Sequence, residues 1–261
     1  MAELELQVSD LRGGYGKKEV VHGLSFGLAA GDVLCLLGPN GCGKSTLLKL
    51  LLRFLPKTAG RIICRGVDVD RLSRRQMARY FAYIPQRDQA MFAYTALEMV
   101  TMARSAYLGN MQTPKPEDIE IAYDCLCQLK IQHLADFPYF KMSGGQRQLV
   151  LIARALCQKT CILMMDEPTA SLDFANQQLI NDAINELARA GKIVIVTTHN
   201  PAQPFAIASQ VLLMREGQTL SLGPPQQVLT DESLEQVYGI PMQVVTITDR
   251  KQNQRSICLS V

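Results

Sequence analysis

Gly38, Gly41, Gly43, Lys44 and Ser45, set in the run Gly38-Pro39-Asn40-Gly41-Cys42-Gly43-Lys44-Ser45-Thr46, have the types and spacing that cradle a polyphosphate. Several negative charges need several N–H donors converging on them, and small residues let the backbone wrap close enough to supply these. Lys44 is placed to reach the β- and γ-phosphates, and the Ser45 hydroxyl to hold Mg²⁺. The loop follows the apolar run Val33-Leu34-Cys35-Leu36-Leu37 and opens into Thr46-Leu47-Leu48-Lys49-Leu50-Leu51-Leu52, which is rich in helix formers. Strand, loop and helix in that order turn the positive N-terminal end of the helix toward the anion. A nucleoside triphosphate is therefore the first ligand to expect. This motif alone does not divide kinases, GTPases and motor ATPases.

Two acids extend the chemistry. The stretch Cys161-Ile162-Leu163-Met164-Met165-Asp166-Glu167-Pro168 reads as a buried strand whose end carries adjacent carboxylates, at the sheet edge where open α/β folds bind ligands. Neighbouring strand residues point in opposite directions, so the two can take different roles. Asp166 can serve Mg²⁺, directly or through water, and Glu167 can orient and polarise an attacking water. Between loop and acids, Met142-Ser143-Gly144-Gly145-Gln146-Arg147-Gln148 brings a hydroxyl, two glycines and amide donors to the start of a helix, a second anion-binding design.

The elements that must position these groups are legible in outline. Residues 3–37 read as short strands with a turn at Gly13-Gly14-Tyr15-Gly16, followed after the first helix by a turn at Ala59-Gly60 and strands at 61–64 and 81–84. From Thr95 to about Gln158 apolar residues recur three and four apart, predicting helices over 96–104, 117–129 and 144–156. Strands return at 161–165, 193–197 and 211–214, with a helix over 175–190. Strands alternating with helices predict a mostly parallel sheet covered on both faces, with the helical middle as an insertion.

Composition narrows the classes. The 261 residues carry a net charge of +3, with 48% hydrophobic and 20% charged residues, as expected of a soluble globular chain with a real core. Lys and Arg are scattered, and the densest group, Arg71, Arg74, Arg75 and Arg79, reads as a solvated helix face, so no direct nucleic-acid contact is expected. The N-terminus lacks a secretion signal, and no apolar run approaches the roughly 18 residues of a membrane span, which predicts a cytosolic protein. The eight cysteines show no CxxC pairing and are expected to be reduced and mostly buried. Cys42 lies inside the phosphate loop, so alkylating it should block nucleotide binding.

Taken together in this order, the loop, the Ser143-Gly144-Gly145-Gln146 segment and the Asp166-Glu167 pair resemble the ATP-binding-cassette ATPases, and the resemblance covers nearly all of the chain. Met142 stands where Leu is commoner in that family. The resemblance implies a P-loop NTPase core over 1–88 and 159–261, with an N-terminal antiparallel β subdomain, and an inserted helical subdomain over 89–158 carrying the signature. It also implies that Gln86 contacts Mg²⁺ and couples the site to a membrane partner, and that Ser171-Leu172-Asp173 touches an opposite subunit. His199 would be the switch histidine at the γ-phosphate, and Tyr15 would stack on adenine. Each residue also has a plain structural reading: Tyr15 in a turn, Gln86 solvated after Pro85, Asp173 as a helix N-cap, His199 at a helix start.

The family mechanism implied is a head-to-tail homodimer in which each ATP, with Mg²⁺, sits between one phosphate loop and the other copy's signature helix. The family usually works on membranes, which implies separate permease subunits, an external binding protein, and a place on the cytoplasmic face of the inner membrane. Phe92-Ala93-Tyr94-Thr95, residues 99–104 and the tail from Gly223-Pro224-Pro225 to Val237-Tyr238-Gly239 are most similar to importers of iron-siderophore, haem, cobalamin or molybdate. A soluble family member acting on nucleic acid or ribosomes, an exporter subunit and a metabolic P-loop kinase are the alternatives.

Overall fold

The computed structural model describes residues 3–86, 93–109, 112–248 and 254–260. They fall into two compact units, Met1–Arg71 with Leu187–Val261, and Leu72–Glu186.

The first unit begins with β1 (Leu4–Tyr15) and β2 (Lys18–Ala29), an antiparallel hairpin whose alternation buries Leu6, Val8 and Leu11 on one strand and Val21, Leu24, Phe26 and Leu28 on the other. After it come β3 (Val33–Leu37), buried at every residue, and α1 (Lys44–Leu51), then β4 (Lys57–Cys64) and β5 (Val67–Asp68). The hairpin joins the last two strands in an antiparallel sheet of order β2-β1-β4-β5. Two expected turns are corrected. β1 runs through Gly13 and Gly14 to Tyr15, and the chain reverses at Gly16-Lys17; a Cβ on Gly14 would collide with the Lys18 carbonyl, so glycine serves close strand approach there. At Ala59-Gly60 the strand does not turn: β4 continues past Gly60 (φ 89), and its register with β1 shifts between Ser9 and Arg12. Glycine inside a strand marks a bulge as readily as a turn, and here the bulge won.

The second unit contains α2 (Arg74–Tyr80), β6 (Phe81–Ile84), α3 (Ala96–Thr101), α4 (Pro116–Gln128), α5 (Gly144–Cys157) and β7 (Ile162–Asp166), with most of α6 (Phe174–Arg189). Parallel pairing runs from Phe81↔Ile162 to Ile84↔Met165. Ser73, Thr95 and Ser143 each close a reciprocal capping box, which is why α2, α3 and α5 start where they do. The helix expected to reach Arg104 ends at Thr101 and tightens into a 3₁₀ segment, Met102–Ala106. The arginine group is also not a bare solvated face. Arg75 donates to the Ala106 and Leu108 carbonyls, and the Arg79 guanidinium lies 5.4 Å from the Tyr107 ring centroid.

Inside this unit the buried Arg104 donates to Asp118 Oδ1 at 2.8 Å and to the Cys157 carbonyl at 3.2 Å, tying the 3₁₀ segment to α4 and α5. The guanidinium, with the Lys115 N–H, holds the Asp118 carboxyl below the usual carboxylate range. A depressed folded-state pKa gives stability that is present above the unfolded pKa and lost as pH falls through the folded one. Asp118→Ala is expected to cost about 2–3 kcal/mol at neutral pH, the loss of hydrogen bonds to a charged group. The difference between wild type and variant should shrink below about pH 4. Thermal unfolding across pH checks both.

The chain then returns to the first unit with β8 (Ile193–Thr198), α7 (Gln203–Ile207), β9 (Gln210–Arg215), β10 (Gln218–Gly223), α8 (Pro225–Val228), α9 (Asp231–Tyr238) and a hairpin of β11 (Met242–Thr248) and β12 (Gln254–Ser260). β3 pairs in parallel with β8 on one side and β9 on the other, and β10 adds an antiparallel edge. β8, like β3, is buried at every residue, as in a sheet covered on both faces. The architecture is the mixed α/β one that the periodicities predict, with the antiparallel N-terminal sheet beside it. None of the eight cysteines is in a disulfide; six are buried, Cys258 is half-buried and Cys127 is exposed.

Candidate functional site

In the first unit the phosphate loop leaves the end of β3 and becomes α1. Gly41 (φ 82) and Gly43 (φ 111) hold left-handed conformations that let successive N–H groups turn inward. Gly43 is the N-cap of α1 and no side chain caps it, so the first-turn N–H groups, which lack intrahelical acceptors, face the loop. Lys44 is 5% exposed, and its ammonium donates to the Gly38 carbonyl at 2.7 Å and the Pro39 carbonyl at 3.0 Å. A buried charge held by loop carbonyls beside an N–H cradle is suited to a phosphate, whose charge-assisted bonds are stronger.

The loop is clamped from behind by a residue that sequence reading missed. Gly217, in the turn between β9 and β10, donates its N–H to the Cys42 carbonyl at 2.9 Å and accepts from the His22 N–H at 2.8 Å. Its φ is 77, and a Cβ there would collide with the Val20 carbonyl of β2. The Glu216-Gly217 pair between two apolar runs is a hairpin-turn signal, but nothing in the sequence ties that turn to the phosphate loop.

Tyr15 and His199 belong to the same unit. The Tyr15 ring lies beside α1, where Lys49 donates to its hydroxyl at 3.2 Å, and 47% of the residue is exposed. His199 directly follows the last residue of β8 and is exposed. Its carbonyl accepts the Tyr238 hydroxyl at 3.0 Å.

In the second unit Asp166 is the buried last residue of β7, and Glu167, half-buried, turns away with a left-handed φ of 48. Both reach β6 or its end: Tyr83 donates a long bond of 3.5 Å to Asp166 Oδ2, and Gln86 donates to Glu167 Oε2 at 2.8 Å. The sequence pointed to Gln86 but not to Tyr83.

Ser143 caps α5. Its Oγ accepts from the Gln146 N–H at 3.3 Å while Gln146 Oε1 accepts from the Ser143 N–H at 3.0 Å. The two glycines after it answer to packing: a Cβ on Gly144 would stand 3.2 Å from Leu172, and one on Gly145 would collide with the Asn176 side chain. The Ser143-Gly144-Gly145-Gln146 turn and the loop Ser171-Leu172-Asp173 therefore form one surface. Asp173 caps α6, accepting the Asn176 N–H at 2.8 Å and the Asn176 amide at 2.9 Å, as its plain structural reading expects. Asn176 was not singled out by sequence.

Cys42 bears on the chemistry through its place. Its thiol is 5% exposed and lies 2.8 Å from where a Cβ on Gly38 would be. Burial pushes its pKa up, against a smaller opposing pull from the Lys44 charge. Alkylation should therefore be slow at neutral pH, faster as pH rises, and slower than at the exposed Cys127. Once Cys42 is modified, nucleotide binding should be lost; full binding after stoichiometric labelling, followed by mass spectrometry, contradicts this.

Residues 21–170 match the ABC transporter family model. That span contains residues 38–46, Gln86, Ser143 to Gln146 and the two acids, and leaves Tyr15, Asp173 and His199 outside it. The chain is 38% identical to the molybdate import ATP-binding protein MolC of Haemophilus influenzae, over 84% of this chain and 81% of that protein. It is 36% identical to the hemin import ATP-binding protein HmuV of Streptomyces coelicolor, over 90% and 83% respectively. Among solved structures, an inward-facing transporter assigned to the metal-chelate ABC type matches with a TM-score of 0.89 and 33% identity, over 99% of this chain and 98% of that one.

Proposed function

The chain belongs to the ABC transporter family of ATP-binding proteins and is an ATPase, and from that premise we propose that it powers a membrane importer for a metal chelate or metal oxyanion: iron-siderophore, haem, cobalamin or molybdate. The observation that carries this reading is the end-to-end match to a metal-chelate type transporter, joined by relatives named for molybdate and hemin import. No helix among the described residues is long and apolar enough to cross a membrane. The reading assigns the crossing to separate permease subunits, cargo capture to an external binding protein, and the ATPase to the cytoplasmic face of the membrane. α3 and the segment after Gln86 are the proposed permease contact, of which residues 87–92 lie outside the described residues.

In this mechanism the N–H groups of residues 38–46 and the Lys44 ammonium bind the phosphates, and Tyr15 packs on the base. The donors assigned to Mg²⁺ are hard oxygens, the Ser45 hydroxyl, the Asp166 carboxylate and the Gln86 amide, which suit that ion. Among the described residues no cluster of three His, Cys, Asp or Glu could hold a metal alone, so these oxygens would hold the ion together with the nucleotide. When bound, Mg²⁺ neutralises charge on the phosphates. Glu167 orients the attacking water and takes its proton, and His199 contacts the γ-phosphate. Ser143, Gly144, Gly145, Gln146 and Asp173 face the nucleotide of a second copy, with residues 89–158 moving as the helical subdomain. Closure is then a population shift limited by the differential affinity of ATP for closed and open dimers.

Co-expression with polytopic permeases of the metal-chelate importer type, followed by purification in detergent, tests the proposal. A stable complex whose ATPase rate responds to loaded binding protein is the expected result. Failure to bind any permease, with an ATPase stimulated by nucleic acid or ribosomes, contradicts it. Uptake of labelled siderophore, haem, cobalamin and molybdate in a deletion strain then selects the cargo.

A further inference from the structure

We propose that Tyr238 is a positioning residue for the ATPase site: its hydroxyl, donated to the main-chain carbonyl of His199, fixes the peptide that aims the His199 side chain, so the C-terminal end of the chain sets the rate of hydrolysis. This rests on the reading of His199 as the residue at the γ-phosphate.

Three observations carry it. The Tyr238 hydroxyl reaches the His199 carbonyl at 3.0 Å, across 39 residues of sequence. His199 opens a turn that also carries local bonds, the Asn200 N–H to Thr198 Oγ1 at 3.1 Å and the Ala202 N–H to Asn200 Oδ1 at 3.0 Å. A carbonyl held from outside sets the plane of the 199–200 peptide, and with it the direction of the imidazole.

The second observation is that Tyr238 stands on firm support. It is the last residue of α9, which buries Leu234 and Val237, starts with a capping box at Thr230, and ends at left-handed Gly239 (φ 71). The guanidinium of Arg215 on β9 donates to the Gln236 carbonyl at 2.8 Å. An exposed loop bonded to an anchored helix takes its position from the helix.

Third, the terminal hairpin locks the arrangement from the other side. The Val244 N–H of β11 donates to Asp231 Oδ1 at 2.7 Å, and the Cys258 thiol of β12 approaches the Pro201 carbonyl, two residues past His199, at 3.6 Å. Burial raises the Tyr238 phenol above the ordinary tyrosine range, helped by Cys42 and then Cys258, so the hydroxyl remains a donor at working pH.

The test is a double-mutant cycle in the full-length chain. Tyr238→Phe keeps the ring and its packing and removes the hydroxyl alone. It is expected to lower kcat for Mg·ATP about five- to tenfold, with the Kd for a non-hydrolysable ATP analogue within about twofold of wild type. In a His199→Ala background the same substitution should lower kcat no further, because the group it positions is gone. Wild-type kcat in Tyr238→Phe overturns the inference while leaving the role of His199 standing. An equal loss in both backgrounds also overturns it, since the hydroxyl would then act elsewhere. Wild-type turnover in His199→Ala removes His199 from the γ-phosphate and takes the inference with it.

Discussion

Glu167→Gln is expected to lower ATP turnover about 10³-fold while leaving ATP affinity within a few-fold of wild type, the range seen when a positioned general base is removed. The carboxylate leaves the end of β7 on a left-handed backbone (φ 48) and accepts the Gln86 amide at 2.8 Å. A glutamine is isosteric and its Oε1 can accept the same bond, so the geometry survives and only proton acceptance is lost. Left-handed backbone at a residue that is neither Gly, Asn nor Asp is uncommon and costs free energy, and strain of this kind gathers at working sites. Glu167→Gly should therefore unfold no earlier than wild type although it turns over as slowly as Glu167→Gln. Stopped-assay phosphate release and equilibrium binding read the two quantities; rapid turnover in Glu167→Gln removes it from the base role.

Lys44→Ala is expected to raise the Kd for ATP by about 10²-fold or more, the loss of one or two bonds from a charged donor to phosphate. The buried ammonium already sits in the loop on the Gly38 and Pro39 carbonyls, so little reordering is needed to bring it to a phosphate. Lys44→Arg should rescue poorly, because a planar fork cannot occupy the place of a compact ammonium 5% exposed. Calorimetric titration with ATP reports the affinity. An unchanged Kd in Lys44→Ala removes the residue from its assigned place.

Much of this site was legible in the sequence because its parts are local. A loop between an apolar run and a helix former, or two acids ending a buried strand, needs no tertiary information, and both stand where they were read. Long-range partners were not legible: Gly217 clamps Cys42 from 175 residues away in sequence only because β9 lies beside β3. Asn176 filling the space over Gly145, and Tyr83 beside Asp166, depend on packing that no periodicity encodes. The two misplaced turns show the same gap, since glycine marks both reversal and close strand approach. Beyond β9 the alternating pattern fades, and α9 with its hairpin emerges only from structure; that is also where Tyr238 meets the His199 loop.

In the proposed dimer each ATP is held between the phosphate loop of one copy of this chain and the Ser143 helix of the other. Sedimentation velocity of full-length Glu167→Gln, with and without saturating Mg·ATP, reads whether this pairing occurs. A species of twice the single-chain mass is expected to form with ATP and to disperse when the nucleotide is removed. A chain that stays single at saturating ATP, while the wild type hydrolyses ATP at full rate in the same single form, contradicts it.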